Sequence, residues 1–375
     1  MVDLARKNLL HDKLRFVITV SGVAFAVTLI FVQIGLFGGL LDNASVTIDH
    51  LDADIWVTSS KTPNIDFAHL FPETSVQRVR SVPGVARADN LIVSFMFISL
   101  PNGARENIEV YALEDFSRWH FPWNVVQGNL DDLRRGRYFF LDESAARRFG
   151  PFAVGEYREV LDYRLKIIGT TREALSFTTT PIGFMDYRIA QTLLGREWVG
   201  RTTYIVAKLA PGADVAAAKA EIQRRLPHND VYTTAEWSRQ SRSYWVESTG
   251  IGFNMFMTVL LGGLVGIVIV AQTLYTSTME HIKEFGTVKA IGGSNADIYK
   301  ILAEQAVISA VVGYALGLIP AFALVPAMAK GGLKLVITPE LMLVVFVGTV
   351  AMCLLAAMVS FRKVATIDPA LVFRG

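Results

Sequence analysis

Four stretches of this 375-residue chain contain no Asp, Glu, Lys or Arg: Phe16–Leu41, Ile251–Leu274, Gln305–Ala329 and Leu341–Ser360, of 26, 24, 25 and 20 residues. At about 1.5 Å of rise per residue, a helix of about 20 residues crosses the roughly 30 Å hydrocarbon core of a bilayer, so each stretch is long enough to span one. The 36 Lys+Arg and 34 Asp+Glu, 19% of the chain, therefore crowd into the remaining 280 residues, where they make up one residue in four, the usual share for a water-soluble domain. This mixture predicts four membrane helices plus a large soluble part. It disfavours a soluble enzyme, a disordered tail and a small disulfide scaffold.

The net charge of +2 and the lack of a basic block argue against nucleic acid as a partner. Cys353 is the only cysteine, so no internal disulfide can form.

The first uncharged run follows Arg6, Lys7, Lys13 and Arg15, like the front of a secretory signal. Its 26 residues exceed the roughly 7–15 of a cleavable core and no small-x-small site follows, so we read a retained membrane helix. Basic residues gather before it, between the second and third runs (His281, Lys283, Lys289, Lys300) and near the C-terminus (Arg362, Lys363, Arg374). The positive-inside rule assigns these three segments to the cytoplasm, leaving the large block outside. The predicted division is a cytoplasmic interfacial helix (1–15), first span (16–41), external α+β domain (42–250), second span (251–274), cytoplasmic coupling segment (275–304), third span (305–329), short external loop (330–340), fourth span (341–360) and cytoplasmic tail (361–375). Lys330 and Lys334 are a small exception to the charge rule. In residues 1–15, Val2, Leu4, Leu9, Leu10 and Leu14 alternate with basic residues at helical spacing, a pattern suited to anionic lipid headgroups.

Glycines recur at a spacing of four in three spans: Gly35 and Gly39, Gly262 and Gly266, Gly313 and Gly317. Such pairs let helices approach closely, which predicts a bundle or a dimer of helices. Pro320 and Pro326 each remove a backbone donor and are expected to bend or locally open the third span.

In the external block, Ala53–Ser59, Leu91–Leu100, Ile108–Leu113, Thr203–Leu209 and Asp230–Thr233 read as strands, with helices at Thr74–Arg80 and Ala213–Leu226. Strand–helix–strand thus occurs twice, predicting a ferredoxin-like half interrupted by an insertion at about Glu114–Gly200, itself carrying strands Tyr138–Leu141 and Leu165–Gly169 and a helix Glu143–Phe149. The block offers no chemistry by pattern. His50, His69, His120 and His228 lack metal-ligand spacing, and Ser144 and Ser176 lack a nucleophile elbow. The adjacent carboxylates Asp142 and Glu143 would point to opposite faces of a strand. Trp119, Phe121 and Trp123 read as a turn packed on the domain core.

The segment Thr276–Ile301 is the most informative. Helical spacing continues past Glu280, His281 and Glu284 with apolar Phe285, Val288 and Ile291 on one side, Gly292 and Gly293 offer a left-handed stop, and Ser294-x-x-Asp297 spells a capping box. The run Glu280-His-Ile-Lys-Glu-Phe-Gly-Thr-Val-Lys-Ala-Ile-Gly-Gly-Ser294 resembles the signature loop of FtsX-like (MacB-type) ABC transporter permeases. The entrance Ala5–Arg15 and the tail Ala365–Leu371 are similar to that family's ends, while Tyr244-Trp245, Thr249–Gly252 and Ala271–Tyr275 look like its DevC-type branch, whose relatives include haem- and glycolipid-export permeases.

The resemblance implies a bacterial inner-membrane permease with a MacB-like periplasmic core, paired with a second permease copy expected to be identical, with an ABC ATPase subunit and with a periplasmic membrane-fusion adaptor. It makes Glu280, His281, Glu284, Phe285, Lys289, Ile291, Gly292 and Gly293 the ATPase-coupling residues. It implies no cofactor bound by this chain, since ATP and Mg belong to the partner ATPase, and the sequence carries no Gly-x4-Gly-Lys-Ser/Thr phosphate loop. The implied function is export or extraction of an amphiphilic substrate (lipid, glycolipid, haem or drug-like). The alternative is an FtsX-like mechanotransmitter that regulates a cell-wall hydrolase without transport. The uncharged spans argue against an ion-coupled carrier, which would place ionisable groups at depth.

Overall fold

The computed structural model describes residues 13–281, 284, 286–287 and 293–365 and divides the chain into two units, Met1–Gly39 with Phe253–Gly375 and Leu40–Gly252. The interfacial helix expected before Lys13, and Phe285, Lys289, Ile291 and Gly292 of the coupling segment, lie outside the described residues.

Four helices are long and apolar enough to cross a membrane: Lys13–Asn43, Ile251–Glu280, Asn295–Lys330 and Pro339–Phe361. Each outruns its uncharged stretch, because the helical hydrogen-bond ladder continues into charged flanks without penalty. The segment expected at 275–304 is accordingly helical at both ends, to Glu280 on one side and from Asn295 on the other. Asn295 begins behind the expected capping box. The Asp297 N–H donates to Ser294 Oγ at 3.2 Å, and the Ser294 N–H donates to Asp297 Oδ2 at 2.8 Å. The third span stays helical through Pro320 and Pro326, so the bending or local opening expected there does not break the helix. Each proline removes one donor, and the neighbouring turns hold the helix.

The first span is the packing axis of its unit. A Cβ on Gly313 would stand 2.5 Å from Val23 Cγ1, and one on Gly317 would stand 2.8 Å from the Ala24 carbonyl oxygen. A Cβ on Gly262 would meet Leu29 Cδ2 at 2.7 Å, and one on Gly266 would meet Met352 Sδ at 2.7 Å and Ala26 Cβ at 3.1 Å. The second and third spans therefore press their glycines against the first, an approach that any side chain would block. Gly35 and Gly39 depart from the pattern of helix against helix. They face the extended segment after the third span, where a Cβ on Gly39 would stand 1.9 Å from the Lys334 carbonyl oxygen and the Val336 N–H donates to the Gly35 carbonyl at 3.0 Å.

The second unit is built on one large sheet. In chain order its strands are β1 (Ile55–Ser59), β2 (Phe71–Pro72), β3 (Val85–Ser99), β4 (Arg105–Leu113), β5 (Val125–Gln127), β6 (Tyr138–Asp142), β7 (Tyr157–Val160), β8 (Tyr163–Thr171), β9 (Ile182–Asp186), β10 (Arg201–Thr202), β11 (Tyr204–Leu209) and β12 (Asn229–Thr233). The order β12-β1-β11-β3, with all neighbours antiparallel, is the ferredoxin-like half expected from the sequence. Helices Ser75–Arg80 and Val215–Arg225 cover one face of it, burying Val76, Val79, Ala218 and Ile222 against Ile55, Val57, Ile205 and Ala207. Trp56, Tyr204, Val206, Leu91 and Val93 alternate onto the other face and join a second core with Tyr111, Phe184 and Trp237. Because both faces are covered, β1 and β11 are apolar almost throughout.

The insertion extends this sheet rather than forming a separate one, in the order β3-β4-β9-β6-β8-β5. Strand β9, which the sequence reading missed, lies parallel to β4 and carries the insertion onto the sheet. Trp119 and Phe121 are fully buried as expected for a packed turn, and the Trp119 indole donates to Asp89 at 2.7 Å.

Replacing Gly317 by Val places branched carbons against the first span's backbone, so the full chain in detergent is expected to lose roughly 1–3 kcal/mol. Gly348→Ala, with nothing within 4 Å of its new methyl, is expected to be neutral. Thermal unfolding of the two variants side by side checks both.

Candidate functional site

The chain enters the second unit at Leu40 and leaves it through Gly252, and the two crossings are held together. Ala44, Phe177 and Trp245 form a small buried cluster on which Leu40, Leu41, Tyr244 and Ile251 pack. The Phe177 and Trp245 rings stack with centroids 3.9 Å apart. Arg242 Nε donates to Ser45 Oγ at 2.7 Å and its Nη2 pairs with Asp49 Oδ2 at 3.0 Å, while Ser45 donates to the same carboxylate at 2.7 Å. This tie joins the short helix Val46–His50, which follows the first crossing, to helix Thr234–Ser243, which precedes the second.

That second helix starts at a capping box formed by Thr233 and Glu236 and ends in a π-helical turn, Tyr244–Ser248. Widened turns of this kind shift the helix register and recur at functional positions. Gly250 then takes φ +72°, a left-handed conformation suited to glycine, before helix Ile251–Glu280 begins. The Tyr244-Trp245 and Thr249–Gly252 signatures thus form the register change and turn of this stem.

In the first unit, Arg15 pairs with Glu280, joining the start of the first span to the end of the second. His281 Nδ1 lies 2.9 Å from Glu284 Oε1, and Gly293 precedes the Ser294 cap. The Ser360 hydroxyl donates to the Ala271 carbonyl at 2.9 Å, and Tyr299 meets Phe361 edge-on with centroids 5.5 Å apart. Both flanks of the expected coupling segment are therefore fixed within the bundle. The first, second and fourth spans also line an apolar cavity of about 520 Å³, bounded by Val27, Ile30, Leu264, Ile267, Met352 and Leu355.

Other polar constellations are internally spent. Asp142 is buried, accepts the Ser144 and Ala174 N–H groups at 2.9 Å each and the Thr171 hydroxyl at 3.1 Å, and is pushed up chiefly by burial. Glu143 instead pairs with Arg172 at 3.0 Å, so the adjacent carboxylates do separate structural jobs. A cleft of about 400 Å³ lined by Arg80, Arg87, Arg118 and Arg134 also contains Asp89, Glu114 and Asp115, and every one of the four guanidinium groups is paired with a carboxylate. Among the described residues no group of three or more His, Cys, Asp or Glu is placed to hold a metal.

Sequence reasoning missed Phe177, Arg242 and Asp49. Thr233-x-x-Glu236 was available as a capping signal for the helix that carries Arg242, whereas nothing local marks Phe177 as a partner of a residue 68 positions later.

A two-crossing stem beneath a mixed sheet, joined to four apolar helices, defines a multi-pass membrane protein with a large soluble domain. Residues 16–225 match the MacB-like periplasmic core domain, and residues 256–369 match the FtsX-like permease C-terminal region. The chain belongs to this family of ABC transporter permeases. It is 26% identical over 390 residues to an uncharacterized ABC transporter permease of Mycobacterium tuberculosis, covering 100% of both chains. It is 25% identical over 256 residues to the macrolide export ATP-binding/permease protein MacB of Shigella sonnei, covering 63% of this chain and 38% of MacB. The periplasmic region of MacB from Actinobacillus actinomycetemcomitans aligns with a TM-score of 0.40 at 12% identity, over 50% of this chain and 92% of that one.

Removing the stacked rings tests the stem. Phe177→Ala and Trp245→Ala are each expected to cost about 3–5 kcal/mol of domain stability. Their double variant is expected to cost less than the sum by roughly 0.5–3 kcal/mol, because each ring is the other's partner. Arg242→Ala, removing a half-exposed ion pair, is expected to cost about 1 kcal/mol or less. Denaturant titration of the four proteins measures all three.

Proposed function

We propose that this chain is the membrane subunit of an ABC transporter in which a separate ATPase polypeptide drives movement of the periplasmic domain, and that this movement exports or extracts an amphiphilic substrate. The observation that carries the reading is one continuous helix, Ile251–Glu280, which starts at the stem turn and ends at the Arg15 ion pair beside the coupling segment. Thirty helical residues span about 45 Å, so a displacement at one end reaches the other without an intervening joint.

Phe285, Ile291 and Gly292 complete the coupling surface in this proposal, with Glu280, Glu284 and Lys289 setting register at its rim and His281 and Gly293 in the same segment. Apolar Phe285 and Ile291 would bury against the ATPase, each contributing about 1.5–3 kcal/mol if fully removed from water. ATP and Mg would sit on that partner, since this sequence has no phosphate loop. A second copy of the permease, a periplasmic adaptor and placement in the inner membrane complete the assembly we infer. The apolar cavity and the uncharged spans support an amphiphile with a hydrocarbon part over a small ion.

The chain purified alone is expected to hydrolyse no ATP, with activity appearing only when its nucleotide-binding subunit is co-purified. Phe285→Asp and Gly292→Val are expected to abolish substrate-dependent stimulation of that activity while leaving the chain inserted. Normal stimulation and normal export in both variants would overturn the coupling role. ATP-dependent release of a labelled amphiphile from vesicles separates transport from regulation of a cell-wall hydrolase, because in the regulatory reading the partner ATPase would turn over ATP without any lipid being moved.

A further inference from the structure

Two carboxyl groups lie together inside the periplasmic domain, where neither meets a cation among the described residues. Glu109, on β4, is fully buried, and Asp66, in the segment between β1 and β2, is 7% exposed. No N–H or hydroxyl donor among the described residues reaches Glu109 Oε2, and Glu109 faces the Asp66 carboxyl within hydrogen-bonding reach. Two carboxylates have no proton to share when both are ionised, so this approach requires at least one proton between them.

The remaining groups around the pair are neutral. Tyr111 presents its hydroxyl to Glu109 Oε1 at 3.5 Å from the same strand, and the Asn64 amide lies 3.5 Å from Asp66 Oδ2. Tyr204 of β11 and the Trp245 indole of the stem face the pair as well, and the Thr47 hydroxyl turns to Tyr111 from helix Val46–His50. No Arg, Lys or His of the described residues faces either carboxyl.

The placement gives the pair a mechanical consequence. The Ile65 N–H donates to Ser241 Oγ at 3.2 Å, and the Phe67 ring sits 5.9 Å from both Tyr244 and Trp245, so the residues flanking Asp66 rest on the stem. Glu109 is fixed in the sheet, and its N–H donates at 3.2 Å to the carbonyl of Pro181, in the loop that carries Phe177.

We propose that Asp66 and Glu109 form a proton-binding site that holds one proton at neutral pH, takes up a second on acidification, and thereby fastens the segment 62–70 to the sheet and stiffens the stem. Desolvation by burial is the first cause for both groups. It pushes Asp66 up to about 6 and, with the Asp66 charge adding to it, Glu109 well above its usual range. Both groups bind protons more tightly folded than unfolded. Their contribution to stability is therefore greatest at low pH and is lost as pH rises, between the ordinary 3.8 and about 6 for Asp66 and further up for Glu109.

Hydrogen–deuterium exchange on the full chain in detergent, corrected for the chemical exchange rate, reads this directly. Opening of residues 62–70 and 241–248 is expected to rise with pH between 4.5 and 6 by at most about tenfold per unit for each proton released. Asp66→Asn, which keeps the size and one acceptor, is expected to lower that slope by one proton's share, leaving the part that Glu109 contributes. An unchanged slope in Asp66→Asn, or a flat profile in the unaltered chain, would overturn the proposal. Infrared spectra at pH 7 supply a second reading that does not depend on opening. A protonated carboxyl band is expected in the unaltered chain and is expected to vanish in Glu109→Gln; its absence from the unaltered chain, or its persistence in a folded Glu109→Gln, sinks the assignment.

Discussion

A peptide group inside a bilayer has no water to bond, so this chain can cross only as helices whose surfaces, being apolar all round, gain little from one another except by close packing. The first span therefore governs the arrangement of its unit. Its Val23, Ala24, Ala26, Val27 and Leu29 receive Gly313, Gly317, Gly266 and Gly262 from two other spans, and Thr28 adds a hydrogen bond to the Gly317 carbonyl at 2.9 Å. The glycines set the interhelical distance by having nothing to intervene. With the spans held this close, Arg15 and Glu280 meet as a consequence of the packing below them rather than as its cause, since both side chains retain exposure to water.

What the sequence disclosed follows from how strongly each feature is expressed locally. Uncharged runs of 20 or more residues have one explanation, and the spans were legible for that reason. The ferredoxin-like half was legible because β1 and β11 are short apolar runs and β12 is a short stretch of β-favouring Val231, Tyr232 and Thr233 after a polar turn, with helices between them. Strand β3 proved longer than expected, beginning at Val85, because Arg87, Asp89 and Asn90 hide its early part behind polar side chains that find partners in Asp52, in Arg80 and Trp119, and in Glu114 respectively. Strand β9 was lost for another reason: five residues, Ile182–Asp186, follow a proline and take their place between β4, some seventy residues earlier, and β6, some forty residues earlier, so both partners are remote in sequence. Helix Thr234–Ser243 is polar over most of its length and buries little beyond Trp237, so periodicity does not mark it although its capping box does.

The candidate coupling residues were legible only as a string resembling a family loop, whereas of the stem only the Tyr244-Trp245 and Thr249–Gly252 signatures were legible, and not their partners. Its parts come from three places: Ala44 and Asp49 after the first span, Phe177 from the insertion, and Arg242 and Trp245 before the second span. Non-local assembly of this kind leaves no spacing rule to read. Two chain crossings tied by a ring stack and by an ion pair hold the entrance and exit of the second unit together.

The buried acids are harder to account for by stability alone. Glutamine at Glu109 or asparagine at Asp66 would offer comparable hydrogen bonds without a charge to desolvate, and burying even one ionised carboxyl away from a cation is costly. Packing does not demand the acids either, since Tyr111, Tyr204 and Trp245 surround them with neutral groups and an amide oxygen could accept from the same donors. The one property that Asp66 and Glu109 have and their amides lack is titration. The cost is borne where Ile65, Phe67 and Pro181 convert a change in the pair into a change in the stem's supports, and a proton is the one ligand that can reach a site this closed and alter its charge without opening it.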